Sequence, residues 1–188
     1  MHSENVKSLT SSIMSKHYSI IDEAFKEFDK YLIEIENEPS SLHRNVRMML
    51  ACKLFNHVYS ALVLTENGLI VDAIISERSA LETIAFYWLI CIDPESAKYY
   101  EQEKFLRPVD VRKKLEELGV DISQLRGLYA SGSNMTHVGR KSEKLYSEWK
   151  SPSNGTLLFG GSFSAEDQNE MFSFLPALLY LLRQYDAN

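Results

Sequence analysis

Cysteine, glycine and proline are all scarce in this chain of 188 residues, which has two cysteines, eight glycines and five prolines. Two cysteines cannot build the disulfide framework that stabilises small secreted domains. Cys52 and Cys91 both lie in apolar stretches, so we expect reduced core residues. Few glycines and prolines favour long helices over a fold of strands and turns.

The chain also lacks the short motifs that announce common chemistries. It contains no Gly-rich phosphate loop, no H-E-x-x-H, no paired-cysteine metal spacing and no G-x-S-x-G. Its five histidines are scattered along the sequence and do not form a zinc pattern. We therefore expect neither a metal ion nor a cofactor.

Positive charge is in deficit, with a net charge of -6. This balance argues against a large nonspecific nucleic-acid surface. The N-terminus is polar and shows no signal-peptide core. The most apolar stretch, residues 69–92, is interrupted by Asp72, Glu77, Arg78 and Glu82, which is too much charge for a membrane span. We expect a cytoplasmic protein without a membrane partner.

Apolar residues recur at helical spacing along most of the chain, which predicts an all-α fold: an antiparallel helical bundle in a single domain. The expected parts are an N-terminal helix (1–38), a helical core (40–137), a long loop or small hairpin (138–163) and a C-terminal helix (164–186).

Start and stop signals divide the helical core. Ser40 or Ser41 is expected to cap a helix that ends at Asn67-Gly68. Asp93-Pro94-Glu95 predicts the start of a further helix that runs to about Phe105. Pro108 opens a short helix that ends at Gly119.

Glycines mark the last part of the core and the loop that follows. Gly127 and Gly132 fall in a helical segment, where they indicate close packing or a break. In the loop, a hairpin turn is expected at Ser153-Asn154-Gly155. Pro176 should kink the last helix.

Five polar side chains form a candidate cluster on two helices. Arg78 and Glu82 are one turn apart in an apolar helix, and Tyr129, Ser133 and His137 repeat at the same spacing on another. Neighbouring helices would bring them together, with Asn134 beside them.

This cluster has two interpretations. It is either a buried network that fixes the register of two helices, or a site. In a site, Glu82 would orient His137 and raise its basicity, and Arg78 would hold an anion such as phosphate.

Other polar residues are weaker candidates, and we expect them to be structural. His57 is interpreted as a core or interface histidine. The basic start of the second helix, which contains His43, Arg44 and Arg47, is expected to be a solvated face.

Two basic segments remain. The 112–114 segment is expected to be an ordinary helix surface because acidic residues follow it. A mixture of charge and aromatic rings is typical of single-stranded nucleic-acid surfaces. The candidates for such contact are Arg140, Lys141, Lys144 and Trp149.

The pattern Arg78-x-x-x-Glu82, followed by Tyr129-x-x-x-Ser133-x-x-x-His137, resembles a group of uncharacterised bacterial helical proteins, and through them the HEPN superfamily. The resemblance covers roughly residues 42–163. It implies an antiparallel bundle that is often dimeric. Active members are metal-independent ribonucleases in which an Arg and a His act on the scissile phosphate.

The chain departs from the ribonuclease pattern because Arg126 is too far from His137, and only Arg78 could substitute. The expected function is therefore a non-catalytic HEPN-like binding or assembly module of a bacterial defence or toxin–antitoxin system. The alternative is a metal-independent ribonuclease with His137, Arg78 and Glu82 at its site. A homodimer or a protein partner is expected, and RNA is the alternative partner.

Overall fold

The chain folds into helices packed side by side, with a short β-hairpin before the last one. The computed structural model describes residues 2–102, 106–136, 147–151, 154–157 and 165–185, with side chains for 15, 17–102, 106–130, 169 and 171–185. In chain order the elements are α1 (His2–Glu36), α2 (Leu42–Glu66), α3 (Ile70–Ile92), a 3-10 turn (Pro94–Ser96), α4 (Ala97–Glu101), α5 (Pro108–Glu117), α6 (Ser123–Thr136), β1 (Ser147–Ser151), β2 (Asn154–Leu157), α7 (Ala165–Leu182) and a 3-10 turn (Arg183–Tyr185). The predicted all-α bundle is confirmed.

Helix α3 forms the centre of the bundle. It packs against α2, α5, α6 and α7. Its Tyr87 and Trp88 are the largest fully buried side chains among the described residues. The Trp88 indole donates a hydrogen bond to the carbonyl oxygen of Leu181 at 3.0 Å, which ties α3 to α7. Apolar residues on nearly all sides of α3 are buried because neighbours cover it on several sides.

The predicted helix ends at both sides of α2 and after α5 are confirmed. Ser41 caps α2, and its hydroxyl oxygen accepts the backbone N–H of Arg44 at 3.1 Å. Gly68 and Gly119 follow α2 and α5 with φ angles of 74° and 80°. Only glycine adopts this left-handed conformation without strain, so both helices stop there.

The helical start predicted at Asp93-Pro94 is present as a 3-10 turn, and the helix that follows ends at Glu101, before the predicted Phe105. Pro94–Ser96 forms a 3-10 turn, and α4 begins only at Ala97. The Asp93 carboxylate accepts the Ser96 hydroxyl at 2.6 Å instead of capping backbone N–H groups. The last residues of that prediction, 103–105, lie outside the described residues.

The break that Gly127 and Gly132 predicted in α6 is absent, and so is the close packing expected at Gly127. Helix α6 runs through Gly127 and Gly132 without a break. A β-carbon added at Gly127 would meet nothing within 4 Å, so no neighbour requires glycine there.

The hairpin is present, but its turn is placed differently. Asn154 and Gly155, expected in the turn, lie in β2 opposite Ser151 and Trp149. The antiparallel pairing begins with Asn154 opposite Ser151, and Ser153, the first residue of the predicted turn, lies outside the described residues.

The cysteines only partly fit the prediction. Neither forms a disulfide, but Cys52 is exposed and Cys91 is half-buried, so neither belongs to the fully buried core. Cys52 lies on the outer face of α2, where its thiol is 4.0 Å from the Met48 sulfur.

The basic start of α2 is not a solvated face, contrary to prediction. Arg44 donates to the carbonyl oxygens of Ile35 and Glu36 at 3.0 and 2.5 Å, which satisfies the open C-terminal end of α1. A His43 ring nitrogen lies 3.1 Å from the carbonyl oxygen of Ile90. Arg44 and His43 therefore contact the C-terminal ends of two neighbouring helices.

Arg47 is the most deeply buried cation of this group, with 6% of its surface exposed. It contacts both carboxylate oxygens of Glu38, at 3.0 and 2.9 Å, and donates to the Tyr87 hydroxyl at 3.1 Å. The Tyr87 hydroxyl also hydrogen-bonds that of Tyr31. Arg47 therefore joins α2 to α3 and to the segment after α1.

Helix α2 is, among the described residues, the one helix long and apolar enough by length and composition to cross a membrane. A core helix of a globular protein passes the same test, and α2 packs against α1, α3 and α7.

Candidate functional site

The predicted polar cluster forms around the Tyr129 hydroxyl. Arg78 Nη2 donates to this oxygen at 2.5 Å, and the hydroxyl donates to Glu82 Oε1 at 3.0 Å. Arg78 Nε is 3.5 Å from the same carboxylate oxygen. The three side chains form a closed polar circuit between α3 and α6.

Helical spacing explains why Arg78 and Glu82 lie together, and helix packing explains the position of Tyr129. Arg78 and Glu82 are separated by four residues and so project from one face of α3. Helix α6 packs on that face and places Tyr129 between them.

Arg112 from α5 adds a second guanidinium to the cluster. Its Cζ lies 4.4 Å from the centre of the Tyr129 ring, and that of Arg78 lies 4.6 Å from the same centre. Guanidinium groups at this distance are attracted by the ring quadrupole. Arg112 was expected to be an ordinary surface residue, and this contact corrects that expectation.

The Arg78–Glu82 pair is less buried than the apolar sequence of α3 predicted. The side chains are 28% and 31% exposed. The open edge beside α6 leaves both in contact with water. The buried acidic residue of this helix is instead Glu77, with 7% of its surface exposed.

The remaining predicted site residues are not placed in this cluster by the described structure. Ser133 and Asn134 lie in the last turns of α6, and Trp149 lies in β1, with the backbone alone described for all three. The others lie outside the described residues: His137, Arg140, Lys141 and Lys144.

A cleft of about 710 Å³ lies on the other side of Glu82, between α2, α3, the α4 segment and α5. His57 and Lys53 from α2 line it, with Glu82 and Thr83 from α3. The sequence prediction treated His57 as a purely structural histidine. Its position beside Glu82 depends on the pairing of α2 with α3, which no local pattern reveals.

His57 is the unusual residue of this cleft. Its Nε2 atom is buried and has no hydrogen-bond partner among the residues that the structure describes. Burial lowers the pKa of the His57 ring below its ordinary value of 6.5; the nearby Lys53 lowers this pKa further, and Glu82 opposes the shift. The ring is therefore neutral near pH 7.

A shallower hollow of about 480 Å³ lies between α5 and α6. Arg112, Lys113, Arg126 and Tyr129 line it. Arg126 is paired with a carboxylate oxygen of Glu116 at 2.7 Å. Arg112 has no carboxylate partner within the part of the chain whose side chains are described, so it is the cation here most open to an anion.

Nothing in the described segments groups three or more His, Cys, Asp or Glu side chains as a metal site would require. Comparison with known proteins gives no match: no family model, no curated protein and no solved structure matches the chain. The candidate sites therefore rest on geometry and chemistry alone.

Proposed function

We propose that this chain is a non-catalytic helical binding and assembly module, HEPN-like in character and suited to a bacterial defence or toxin–antitoxin system. The closed circuit of Arg78, Tyr129 and Glu82 supports this proposal. The Tyr129 hydroxyl accepts one hydrogen bond and donates another. Its donor and one acceptor position are therefore both used within the protein. Arg78 is engaged by both partners, as expected for a lock between helices.

The outer face of α2 is the surface proposed for assembly. Cys52, Asn56, Tyr59 and Val63 recur at helical spacing and are all exposed, Tyr59 by 53%. None of the four carries a charge. The chain as a whole carries a net charge of -6, so two copies repel each other at most surfaces. This stripe lets two copies meet about a twofold axis without placing like charges opposite each other.

Sedimentation of the purified protein tests this proposal. Wild type is expected to form a dimer, and Tyr59→Lys is expected to shift it to monomer by placing two like charges in the contact. Tyr180→Lys is the matched control, since Tyr180 is 49% exposed on α7. A monomeric wild type, or equal effects of both substitutions, would count against assembly through α2.

A metal-independent ribonuclease is the second candidate, and one observation favours it. Arg78 is 28% exposed, and Arg112 lies against the same Tyr129 ring, so two guanidinium groups adjoin one accessible patch. Such groups bind phosphate. His137 would supply the general acid or base in this alternative.

RNA cleavage in EDTA separates the two candidates. Wild type is compared with His137→Ala and Arg78→Ala on a pool of single-stranded and structured RNA. The assembly proposal predicts no cleavage by any of them. Cleavage by wild type that both substitutions abolish, with both variants folded, would establish the ribonuclease instead.

A further inference from the structure

The cleft beside His57 has the size and lining of a small-molecule site. Its volume of about 710 Å³ is within the usual range for ligand pockets, roughly 300–1,000 Å³. Leu50, Phe86 and Val111 give it apolar walls. A few polar groups interrupt these walls, and the atoms they offer decide which ligand fits.

Two of these polar groups are hydroxyls that present acceptor oxygens. The Ser79 hydroxyl donates to the carbonyl oxygen of Ile75 at 3.0 Å, and that of Thr83 donates to the carbonyl oxygen of Ser79 at 2.8 Å. Each hydroxyl hydrogen is thereby used within α3. The oxygen lone pairs remain available, so both residues favour a ligand that donates.

Glu82 also presents an acceptor oxygen, and His57 lies beside it. Tyr129 and Arg78 approach Oε1 of Glu82, and within the described part of the chain the second carboxylate oxygen has no hydrogen-bond partner. The buried His57 Nε2 also lacks a partner. This atom has no accessible surface, so His57 lines the cleft without offering Nε2 to a ligand. The accepting atoms of the cleft are the Glu82 carboxylate and the two hydroxyl oxygens.

The charges around the cleft restrict the class of ligand further. Among the described residues that line the cleft, Glu82 places its carboxylate farthest from solvent, while Lys53 and Glu101 are both exposed and have opposite charges. Arg78 lies behind Glu82 at 3.5 Å and offsets part of its charge. A cation with several N–H donors therefore fits better than a simple anion or an acceptor.

We propose that this cleft is a binding site for a planar organic cation of the amidine or guanidine class, with an apolar body. One N–H contacts the Glu82 carboxylate, a second contacts the Thr83 hydroxyl oxygen, and the apolar body lies against Leu50, Phe86 and Val111. The residues of this site are not those of the assembly surface of α2. The ligand-binding proposal is therefore independent of the proposed function.

Three probes of one shape test the proposal: benzamidine, benzamide and benzoate. They carry a cationic donor, a neutral donor–acceptor and an anionic acceptor on the same ring. Titration of the full-length protein, followed by NMR of the histidine rings, gives a Kd for each. Benzamidine is expected to bind at least about tenfold more tightly than benzoate and to shift the His57 resonances. Equal or tighter binding of benzoate, or no binding of benzamidine, would overturn the proposal.

Two substitutions that remove charges of opposite sign, and so change benzamidine affinity in opposite directions, test where the ligand binds. Glu82→Gln removes the charge and is expected to weaken benzamidine binding by about tenfold. Lys53→Gln removes an exposed cation from the rim, leaves the core intact and is expected to tighten benzamidine binding by several-fold. Lys26→Gln, on the exposed face of α1, is the matched control and should change nothing. An unchanged Kd in Lys53→Gln would overturn the placement even if Glu82→Gln failed to fold.

Discussion

Glu82 accepts the Tyr129 hydroxyl at 3.0 Å across the contact of α3 with α6, and it also lines the cleft shared by α3 with α2. One carboxylate therefore faces two features of the molecule. The circuit on the α6 side orients the side chain, and this orientation leaves a carboxylate oxygen for the cleft. A substitution in the circuit with Tyr129 should therefore change ligand binding in the cleft, and the two effects should not be additive.

Removal of the Tyr129 hydroxyl should destabilise the protein. Tyr129→Phe keeps the ring between Arg78 and Arg112 but deletes both hydrogen bonds of the circuit. Because both partners are charged yet partly exposed, the free energy of unfolding should fall by about 1–3 kcal/mol, as measured in urea. Tyr100→Phe is the control, since Tyr100 is 47% exposed, and it should change the unfolding free energy little. Equal values for the two variants would show that the circuit contributes nothing.

Arg47 should matter more than an exposed arginine with similar ion-pair geometry. Arg47→Ala removes two contacts to Glu38 and one to Tyr87 from a residue that is 6% exposed. We expect a loss of about 1–3 kcal/mol in urea unfolding. Arg107→Ala deletes two contacts to Asp110 at the surface and should cost less than about 1 kcal/mol. The reverse order would contradict the clamp assigned to Arg47.

The stability of the protein should depend on pH through His57. Burial lowers its pKa in the folded state below 6.5, so above that value the ring is neutral in both states. As the pH falls below 6.5, the unfolded chain takes up a proton that the folded ring resists, and stability is lost down to the folded pKa. Lys53 and Glu82, the charged groups that act on this ring, lower and raise that pKa respectively.

Urea unfolding from about pH 8 to about pH 5 measures this effect. His57→Gln should show a shallower loss of stability than wild type within this interval. Parallel curves for the two proteins would mean that the His57 pKa is the same in the folded and unfolded states.

Local sequence patterns predicted the helices because their causes are local. Ser41 caps α2, and Gly68 ends it, through interactions within a few residues. The central position of α3 followed from apolar residues on most of its sides. The 3-10 turn after Asp93 was not predicted. The Asp93 carboxylate accepts the Ser96 hydroxyl and does not cap the backbone N–H groups of a helix.

Long-range contacts explain what the sequence did not reveal. Arg47 is buried because Tyr87, 40 positions away, accepts its hydrogen bond. His57 lines a cleft because α3 and α5 close around it. The spacing on α3 predicted that Arg78 and Glu82 share one face, whereas the position of Tyr129 beside them depends on the packing of α6 against α3.

A double-mutant cycle between Arg78 and Tyr129 tests the central claim most directly. The free energy of unfolding is measured in urea for wild type, Arg78→Met, Tyr129→Phe and the double variant. A structural lock predicts that the two effects are not additive, with a coupling energy of about 0.5–3 kcal/mol. Additivity within about 0.3–0.5 kcal/mol would contradict the lock and leave Arg78 available for an anion.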